Sequence, residues 1–588
     1  MILGLFTTII AIAGSTHGKV FQHLSELPVD LMTFDFIVSG GGTGGSVIAS
    51  RLSENKAFNV LLIEAGPDTA DQLGLSIPGW GLGKGTENPS QFIWNYESVP
   101  QEGWNGRKAG IPRGRGLGGS SAVNGMVYTR GSKDDYDNWA RVTGDPGWSW
   151  NALRPYIRRS ERWTPPAGGR NATGEYDPAV HGYMGRVETS LPWDGHLEHD
   201  IRTIRNAEIQ KAEFPLVLDG NAGRSIGVKC WYQLAWMQST IGNGTRSSAA
   251  TAYLGDPVRK RGNLAILLNT QVLRVHPVVS SVRRLDIRTV EVISSDGGTA
   301  VKFTAKKELV LSGGVIGTPH ILLNSGIGNR TELESLGVAS ILDLPDIGKG
   351  ITEHVAANLV WDTVPLNTTT IDQDLAYAMW QQNRTGPLTA TFTHQILWSR
   401  IPSSSTLFKE WKDPSTGTTS PHLELPLDAA QNAYLALLTP YSRGSLRLAS
   451  SNPLLPPLID LGLLTHPFDM AAIKEGVRIM KRFYSGPAWE GYITGFRGPD
   501  PDVLSNEEFE KRIRDNAITF YHPVGGSAMS KRGEKRGVVD GELKVKGVRG
   551  LRIVDASVFP YVLTAHTQAP VYILAERAAD LILTSWVG

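Results

Sequence analysis

Phe34-Asp35-Phe36-Ile37-Val38-Ser39-Gly40-Gly41-Gly42-Thr43-Gly44-Gly45 is the stretch that decides the fold. Phe34 to Val38 is a short apolar run of the kind that forms a central strand buried on both faces. Glycines follow at once, and a helical stretch runs from Gly44 to about Glu54. A second buried strand, Asn59-Val60-Leu61-Leu62-Ile63, ends in Glu64. Strand, glycine turn, helix and strand make a β-α-β unit, and a parallel sheet follows from it.

Gly40, Gly42 and Gly45 satisfy G-x-G-x-x-G in the setting that gives the pattern meaning, after a strand and before a helix. Gly40 permits the tight turn, Gly42 lets backbone approach a pyrophosphate, and Gly45 lets the helix pack close to the sheet. The first helical turn, with Thr43 and Gly44, offers unpaired N–H groups and a positive dipole end to phosphates. Glu64 lies 19 residues beyond Gly45, where its carboxylate can accept hydrogen bonds from ribose hydroxyls, and Ala65 belongs to the same expected contact surface. These features agree on an adenine dinucleotide. They do not choose between FAD and NAD.

The rest of the chain is ordinary in composition. It has 588 residues, 41% hydrophobic and 20% charged, with 58 basic and 57 acidic side chains and a net charge of +1. That length allows two packed domains, and that balance offers no basic face for a nucleic-acid partner. Another strand-like run, Glu308-Leu309-Val310-Leu311-Ser312, again leads into glycines, and Thr363 to Ser420 reads as part of a second domain. Pro570 to Thr584 reads as an amphipathic closing helix with proline in its first turn.

The run Met1 to Ala13 is too short to span a bilayer, and Ala11-Ile12-Ala13 has the small-x-small form of a cleavage site. Residues 1–18 are therefore expected to be a signal peptide, although no basic residue precedes the apolar run. Five Asn-x-Ser/Thr sequons, at Asn171, Asn243, Asn329, Asn367 and Asn383, support a secreted, N-glycosylated product. Cys230 is the single cysteine, so no intrachain disulfide forms, and a buried apolar role is expected for it.

The choice of cofactor rests on Gly114-Arg115-Gly116-Leu117-Gly118-Gly119-Ser120-Ser121-Ala122-Val123-Asn124-Gly125-Met126. This spacing of glycines, paired serines and Asn resembles the first signature of the glucose–methanol–choline (GMC) oxidoreductases. Their second signature is matched by Gly314-Val315-Ile316-Gly317-Thr318-Pro319-His320 through Gly328, with Val315 in place of a small residue. Gly386 to Thr389, Ser442 to Ser445 and Arg552-Ile553-Val554-Asp555-Ala556-Ser557 continue the likeness, which covers about Thr33 to the end.

The resemblance implies an α/β fold: a Rossmann-like FAD-binding domain with an intertwined α+β substrate-binding domain. On it, 33–165, 222–340 and 520–588 form the FAD-binding unit, and 166–221 and 341–519 the substrate-binding unit. It implies that Asn124, Gly125, Met126 and Val127 line the isoalloxazine ring, and that Gly118, Ser121, Trp94 and Val272 contact the cofactor. Asp555 and Ala556 would approach its ribityl and phosphate parts. Relatives that tether FAD through histidine often carry it just before this Asn; Val123 stands there instead, so non-covalent FAD is expected.

Tyr521-His522-Pro523-Val524-Gly525-Gly526 resembles the stretch bearing the family's catalytic histidine, and Thr564-Ala565-His566-Thr567-Gln568-Ala569-Pro570 leads into the last helix. His at 566 matches the two-histidine subset, which includes aryl-alcohol and glucose oxidases. Oxidising an alcohol removes a hydroxyl proton and a hydride from one carbon, and a neutral imidazole can take the proton. His522 is assigned as base and His566 as the partner that orients the alkoxide. Thr567 and Gln568, at the helix N-terminus, are expected to face the flavin's pyrimidine edge, where the dipole end favours negative charge.

Phe520 and Tyr521 predict an apolar mouth suited to aryl or allylic alcohols, with oxygen or a quinone as acceptor. Gly125 departs from the aromatic that aryl-alcohol oxidases often carry just after the Asn. The rival reading is a non-redox lyase or cyclase retaining FAD. His196 and His199 lack a third ligand, so no metal is expected; His354, in a family turn, is expected to be structural.

Overall fold

The computed structural model describes residues 19–586 apart from 29–32, 82–88, 195–196, 225, 227–231, 279–284, 365–371, 392 and 428–432. The expected signal peptide, His196, Cys230 and Asn367 lie outside the described residues.

The glycine-rich stretch folds as the sequence predicts. Phe36–Ser39 and Val60–Ile63 are strands buried at every position, and the helix between them is Thr43–Leu52. These strands sit in the middle of a six-stranded sheet. Its spatial order is Lys19–Phe21, Leu264–Leu267, Val60–Ile63, Phe36–Ser39, Glu308–Leu311, Leu551–Ile553, and every pairing is parallel. Phe36–Ser39 thus has the strand that follows it on one side and one from much later on the other. The crevice at the carboxyl ends of such a switch point is where α/β sheets bind ligands.

The first helix packs against the last, Gln568–Trp586, which includes Pro570 in its first turn. Arg51 on the former donates to the fully buried Glu576 on the latter at 2.8 Å, and Tyr253 donates its hydroxyl to the same carboxylate at 2.6 Å. The C-terminal segment is thereby fixed over the start of the chain, which brings Thr567 and Gln568 to the cofactor end of the sheet.

A second six-stranded sheet is antiparallel throughout. Its order is Ile518–Thr519, Val355–Leu359, Ala433–Leu437, Leu423–Leu427, Gln395–Ser399, Tyr232–Trp236. Alternation along Leu423-Glu424-Leu425-Pro426-Leu427 divides its faces. Leu423 and Leu435 approach Gly476 of the long helix Pro467–Tyr484, while Glu424 and Pro426 face the opposite way. Tyr232–Trp236 pairs here, although the sequence assigns 222–340 to the cofactor unit. The reason is local: all five residues are buried, and they match Gln395–Ser399 in full register. Among the described residues, no helix is long and apolar enough to cross a membrane.

Candidate active site

One cavity of about 1080 Å³ runs from the glycine turn at the parallel sheet to the antiparallel sheet. It exceeds what a small alcohol needs and lies at the upper end for single-ligand pockets. At one end it is lined by Gly40, Gly42, Thr43, Gly44, Glu64 and Ala65. Trp94, Val272, Asp555 and Ala556 join them, followed by Ser121 and Asn124 to Val127. His522, His566, Thr567 and Gln568 close the far end.

The glycines divide by what requires them. A Cβ on Gly40 would meet the Ser312 carbonyl oxygen at 2.4 Å, one on Gly44 that of Val554 at 2.3 Å, and one on Gly45 that of Gly40 at 1.9 Å. Protein backbone fills those spaces. At Gly42 the nearest atom would be Gly119 Cα at 3.8 Å, so a side chain there would fill only the cavity. That is the cradle a pyrophosphate needs, and these residues fit an adenine dinucleotide. Gly45 and Gly118 act through packing and do not line the cavity. Gly118, at φ +85°, donates its N–H to the Gly41 carbonyl at 2.7 Å and joins the two glycine loops.

Two carboxylates that line the cavity also tie the backbone around it together. Buried Glu64 accepts N–H from Gly41 at 2.7 Å, Gly66 at 3.0 Å and Gly116 at 2.9 Å, so it ties three backbone segments together beside the cavity. Burial raises its pKa against the opposing influence of these bonds. Asp555 accepts from Thr318 Oγ1 at 2.6 Å and from Gly314 N at 3.0 Å. It therefore caps the second signature helix and joins it to the C-terminal segment.

Asn124 is held from three directions. Arg246 Nη1 donates to its carbonyl at 2.7 Å and its Oδ1 at 3.1 Å, Met126 N donates to the same Oδ1 at 3.1 Å, and its Nδ2 donates to Gln568 Oε1. Burial lowers Arg246 to about 10, which leaves it cationic at neutral pH. Met126 and Tyr521 both adopt positive φ, 64° and 63°, an uncommon conformation for large side chains that clusters at functional sites. At Tyr521 this turn leaves the ring exposed while the next residue, His522, is buried at the cavity.

The two catalytic candidates meet. The His522 and His566 rings lie 4.5 Å apart at 73°, with Phe520 at 5.2 and 5.5 Å from them. Burial pushes His522 well below the usual imidazole range, with the neighbouring Arg113 guanidinium acting in the same direction, so it is neutral at physiological pH. His566 is anchored at both ends. Thr129 Oγ1 accepts its backbone N–H at 2.7 Å, and Glu424 Oε1 lies 2.7 Å from its Nε2. Two residues earlier, Thr564 donates N–H and hydroxyl to buried Asp135 at 2.9 and 2.7 Å.

Sequence reasoning misses Glu424 and Arg246 altogether. The available signal for Glu424 is a lone charge inside Leu-Glu-Leu-Pro-Leu, where a buried carboxylate must have a partner. His354 is no mere turn residue, since its Nδ1 lies 3.0 Å from His522 Nδ1. His199 is buried against Trp489 at 5.1 Å, and among the described residues no group of three His, Cys, Asp or Glu is placed to hold a metal.

Residues 34–356 match the GMC oxidoreductase N-terminal family model, and 440–575 the C-terminal one. Pyranose dehydrogenase 3 of Leucoagaricus meleagris is 38% identical over 97% of this chain and 96% of its own length. Dehydrogenase eriK of Hericium erinaceus is 38% identical over 98% of both chains. The FAD, quinone glucose dehydrogenase of Drosophila melanogaster is 33% identical over 94% of this chain and 87% of its own. Among solved structures, an FAD-dependent oxidoreductase from Chaetomium thermophilum superposes with a TM-score of 0.82 at 28% identity, covering 94% of this chain and 99% of that one. A fungal aryl-alcohol oxidase gives 0.81 at 26%, covering 95% and 100%. With nucleotide cradle, paired histidines and full-length likeness in agreement, this chain belongs to the GMC oxidoreductase family and is an FAD enzyme acting on CH–OH donors.

Proposed function

We propose that this enzyme oxidises a primary or secondary alcohol with an apolar body, of the aryl or allylic kind, to its carbonyl, with His522 as the base. The observation that carries this reading is the His522–His566 pair at the cavity, with the ring of Phe520 beside both histidines. His522, neutral and buried, takes the hydroxyl proton. His566, held by Glu424 and Thr129, orients the substrate oxygen. FAD, when bound, accepts the hydride at N5. Asn124 to Val127, fixed by Arg246 and Gln568, would line its ring, and the glycine turn its pyrophosphate.

The substrate class follows from the wall around the pair. Met237, Ile396, Pro426, Ile518 and Phe520 give the cavity an apolar wall, against which Thr391, Thr393 and Tyr434 offer only a few side-chain hydroxyls to a sugar's several. Each hydroxyl buried without a partner costs about 1–3 kcal/mol. The pyranose dehydrogenase relatives make sugars the competing donors. Anaerobic mixing with aryl alcohols and with pyranoses tests this: bleaching of the flavin by an aryl alcohol at the lower concentration is expected. Bleaching by sugars alone would overturn the substrate class, and a flavin untouched by every alcohol would favour a non-redox lyase or cyclase. Reoxidation of the bleached enzyme by oxygen or by a benzoquinone then assigns the acceptor.

A further inference from the structure

His354 closes the turn Gly348 to His354 and precedes the strand Val355–Leu359, and its side chain is fully buried. Its ring stands at 84° to that of His522, with Nδ1 to Nδ1 at 3.0 Å. Its backbone carbonyl accepts the N–H of Phe520 at 3.0 Å, and the preceding residue, Glu353, accepts the backbone N–H of His522 at 2.9 Å. One turn therefore grips both the main chain and the ring of His522.

Two ring nitrogens 3.0 Å apart need one proton between them. Which side supplies it is decided at the far side of His354. Burial lowers this imidazole to about 3, so it is neutral and carries a single N–H. The groups near its far side include the backbone carbonyls of Leu563 and Leu438, whose oxygens accept and never donate. A lone pair turned toward carbonyl oxygens would be repelled, whereas an N–H is attracted. Nε2 is buried and makes no well-formed hydrogen bond, and the nearby carbonyl dipoles favour the proton on it. His354 Nδ1 is then an acceptor, and His522 Nδ1 must donate to it.

We propose that His354 is a positioning residue that holds His522 in its Nδ1–H tautomer, leaving Nε2 as the basic nitrogen for the substrate hydroxyl. The tautomer follows from the protein's own geometry; its consequence for rate rests on the reading of His522 as base. An imidazole in the wrong tautomer presents an N–H where a lone pair is needed, and it cannot abstract a proton. The other groups around His522 are His566, Arg113, Glu353 and the Phe520 ring, and none of them contacts Nδ1.

The test uses FAD-loaded enzyme with 15N-labelled histidine, the His522 signals being identified by their absence in His522→Ala. Wild type is expected to show a protonated Nδ1 and an unprotonated Nε2 at His522. His354→Phe keeps the ring but removes the acceptor, and His522 should become a tautomer mixture. His354→Gln returns an acceptor oxygen and should restore the Nδ1–H form in part. Anaerobic flavin reduction should slow about 10- to 100-fold in His354→Phe, within the range for impaired general-base catalysis. The loss should fall on the limiting rate more than on the half-saturating concentration, and His354→Gln should recover part of it. A protonated Nε2 in the wild type would overturn the proposal, as would an unchanged tautomer in His354→Phe; if that variant fails to fold, the wild-type and His354→Gln spectra decide. A wild-type flavin that no alcohol reduces would sink the oxidation reading, while the nitrogen spectra would still answer for the tautomer.

Discussion

Glu424 Oε1 lies 2.7 Å from His566 Nε2, and its Oε2 accepts the indole N–H of Trp398 at 3.1 Å. Both partners come from outside the segment that carries His566: Glu424 from the strand Leu423–Leu427, Trp398 from its neighbour Gln395–Ser399. The antiparallel sheet thus reaches under the cofactor's histidine pair and fixes one ring. A hydrogen bond to a charged group contributes about 1.5–3 kcal/mol. Glu424→Gln keeps the shape and weakens that bond, so flavin reduction should slow about 10- to 100-fold with FAD occupancy unchanged. Wild-type reduction by stopped flow in a fully loaded Glu424→Gln protein would remove Glu424 from the site.

Val123 lines the cavity directly before Asn124, where a tethering histidine would stand. Its side chain has no nucleophilic atom. Purified enzyme should be yellow, and acid precipitation should leave the flavin in the supernatant with a colourless pellet. Colour retained by the denatured pellet would show a covalent bond to some other residue.

Glu353 gives stability a pH signature. Burial raises its carboxyl from 4.5 to about 8, against the opposing influence of its bond to His522 N–H and the charge of Arg113. The fold prefers the protonated acid, so this contribution is complete below pH 4.5 and is lost as pH rises through about 8. Glu353→Gln keeps an oxygen for the His522 N–H and cannot ionise. Its melting temperature should therefore exceed that of the wild type above pH 8 and converge with it near pH 5. Parallel melting curves across that range would refute the assignment.

Secretion with N-glycosylation is proposed on the sequons and the apolar start of the chain. Asn171, Asn243 and Asn383 are exposed, while half-buried Asn329 uses Oδ1 to cap a helix by accepting Glu332 N–H at 3.0 Å. Glycan attaches at Nδ2, which that cap leaves free. Protein secreted from a glycosylating host should lose mass on enzymatic deglycosylation, with peptides around Asn171, Asn243 and Asn383 carrying the change. An unmodified intracellular product retaining Met1 would contradict the proposal.

The cofactor end was legible because its signals are local. Apolar runs at Phe36–Ser39, Val60–Ile63 and Glu308–Leu311 are bounded by glycines whose absent side chains the backbone demands. The substrate end is built by pairing across long separations. Glu424 meets His566 across 142 residues, Arg246 meets Asn124 across 122, and His354 meets His522 across 168. No periodicity or spacing encodes such meetings. Glu64 shows a subtler gap: its place at the strand end was visible, yet its three backbone bonds depend on loops up to 52 residues away.

The two histidines should prove separable from cofactor binding and inseparable from each other. On the proposed reading the phosphate cradle would be the glycine turn around Gly42, and the Asn124 loop is held by Arg246 and Gln568, so neither histidine is expected to support FAD directly. His522→Ala and His566→Ala should each remain FAD-loaded. Without His522 the hydroxyl proton has no acceptor, and loss of a general base typically costs about 10²–10⁴-fold in rate. His566→Ala also strands Glu424, a wholly buried carboxylate whose remaining bond is to Trp398. That variant should therefore lose melting temperature as well, by the cost of an unmatched buried charge. His566→Asn supplies a neutral donor to Glu424 and should recover stability ahead of rate. The rings lie 4.5 Å apart, so if both act on one substrate oxygen, as proposed, the double variant should be slower than either single by much less than the product of the two losses. Stopped-flow reduction under anaerobic conditions measures all four proteins against one alcohol. Fully additive losses would mean that the residues act in separate steps, and a loaded His522→Ala protein reduced at the wild-type rate would assign the base elsewhere.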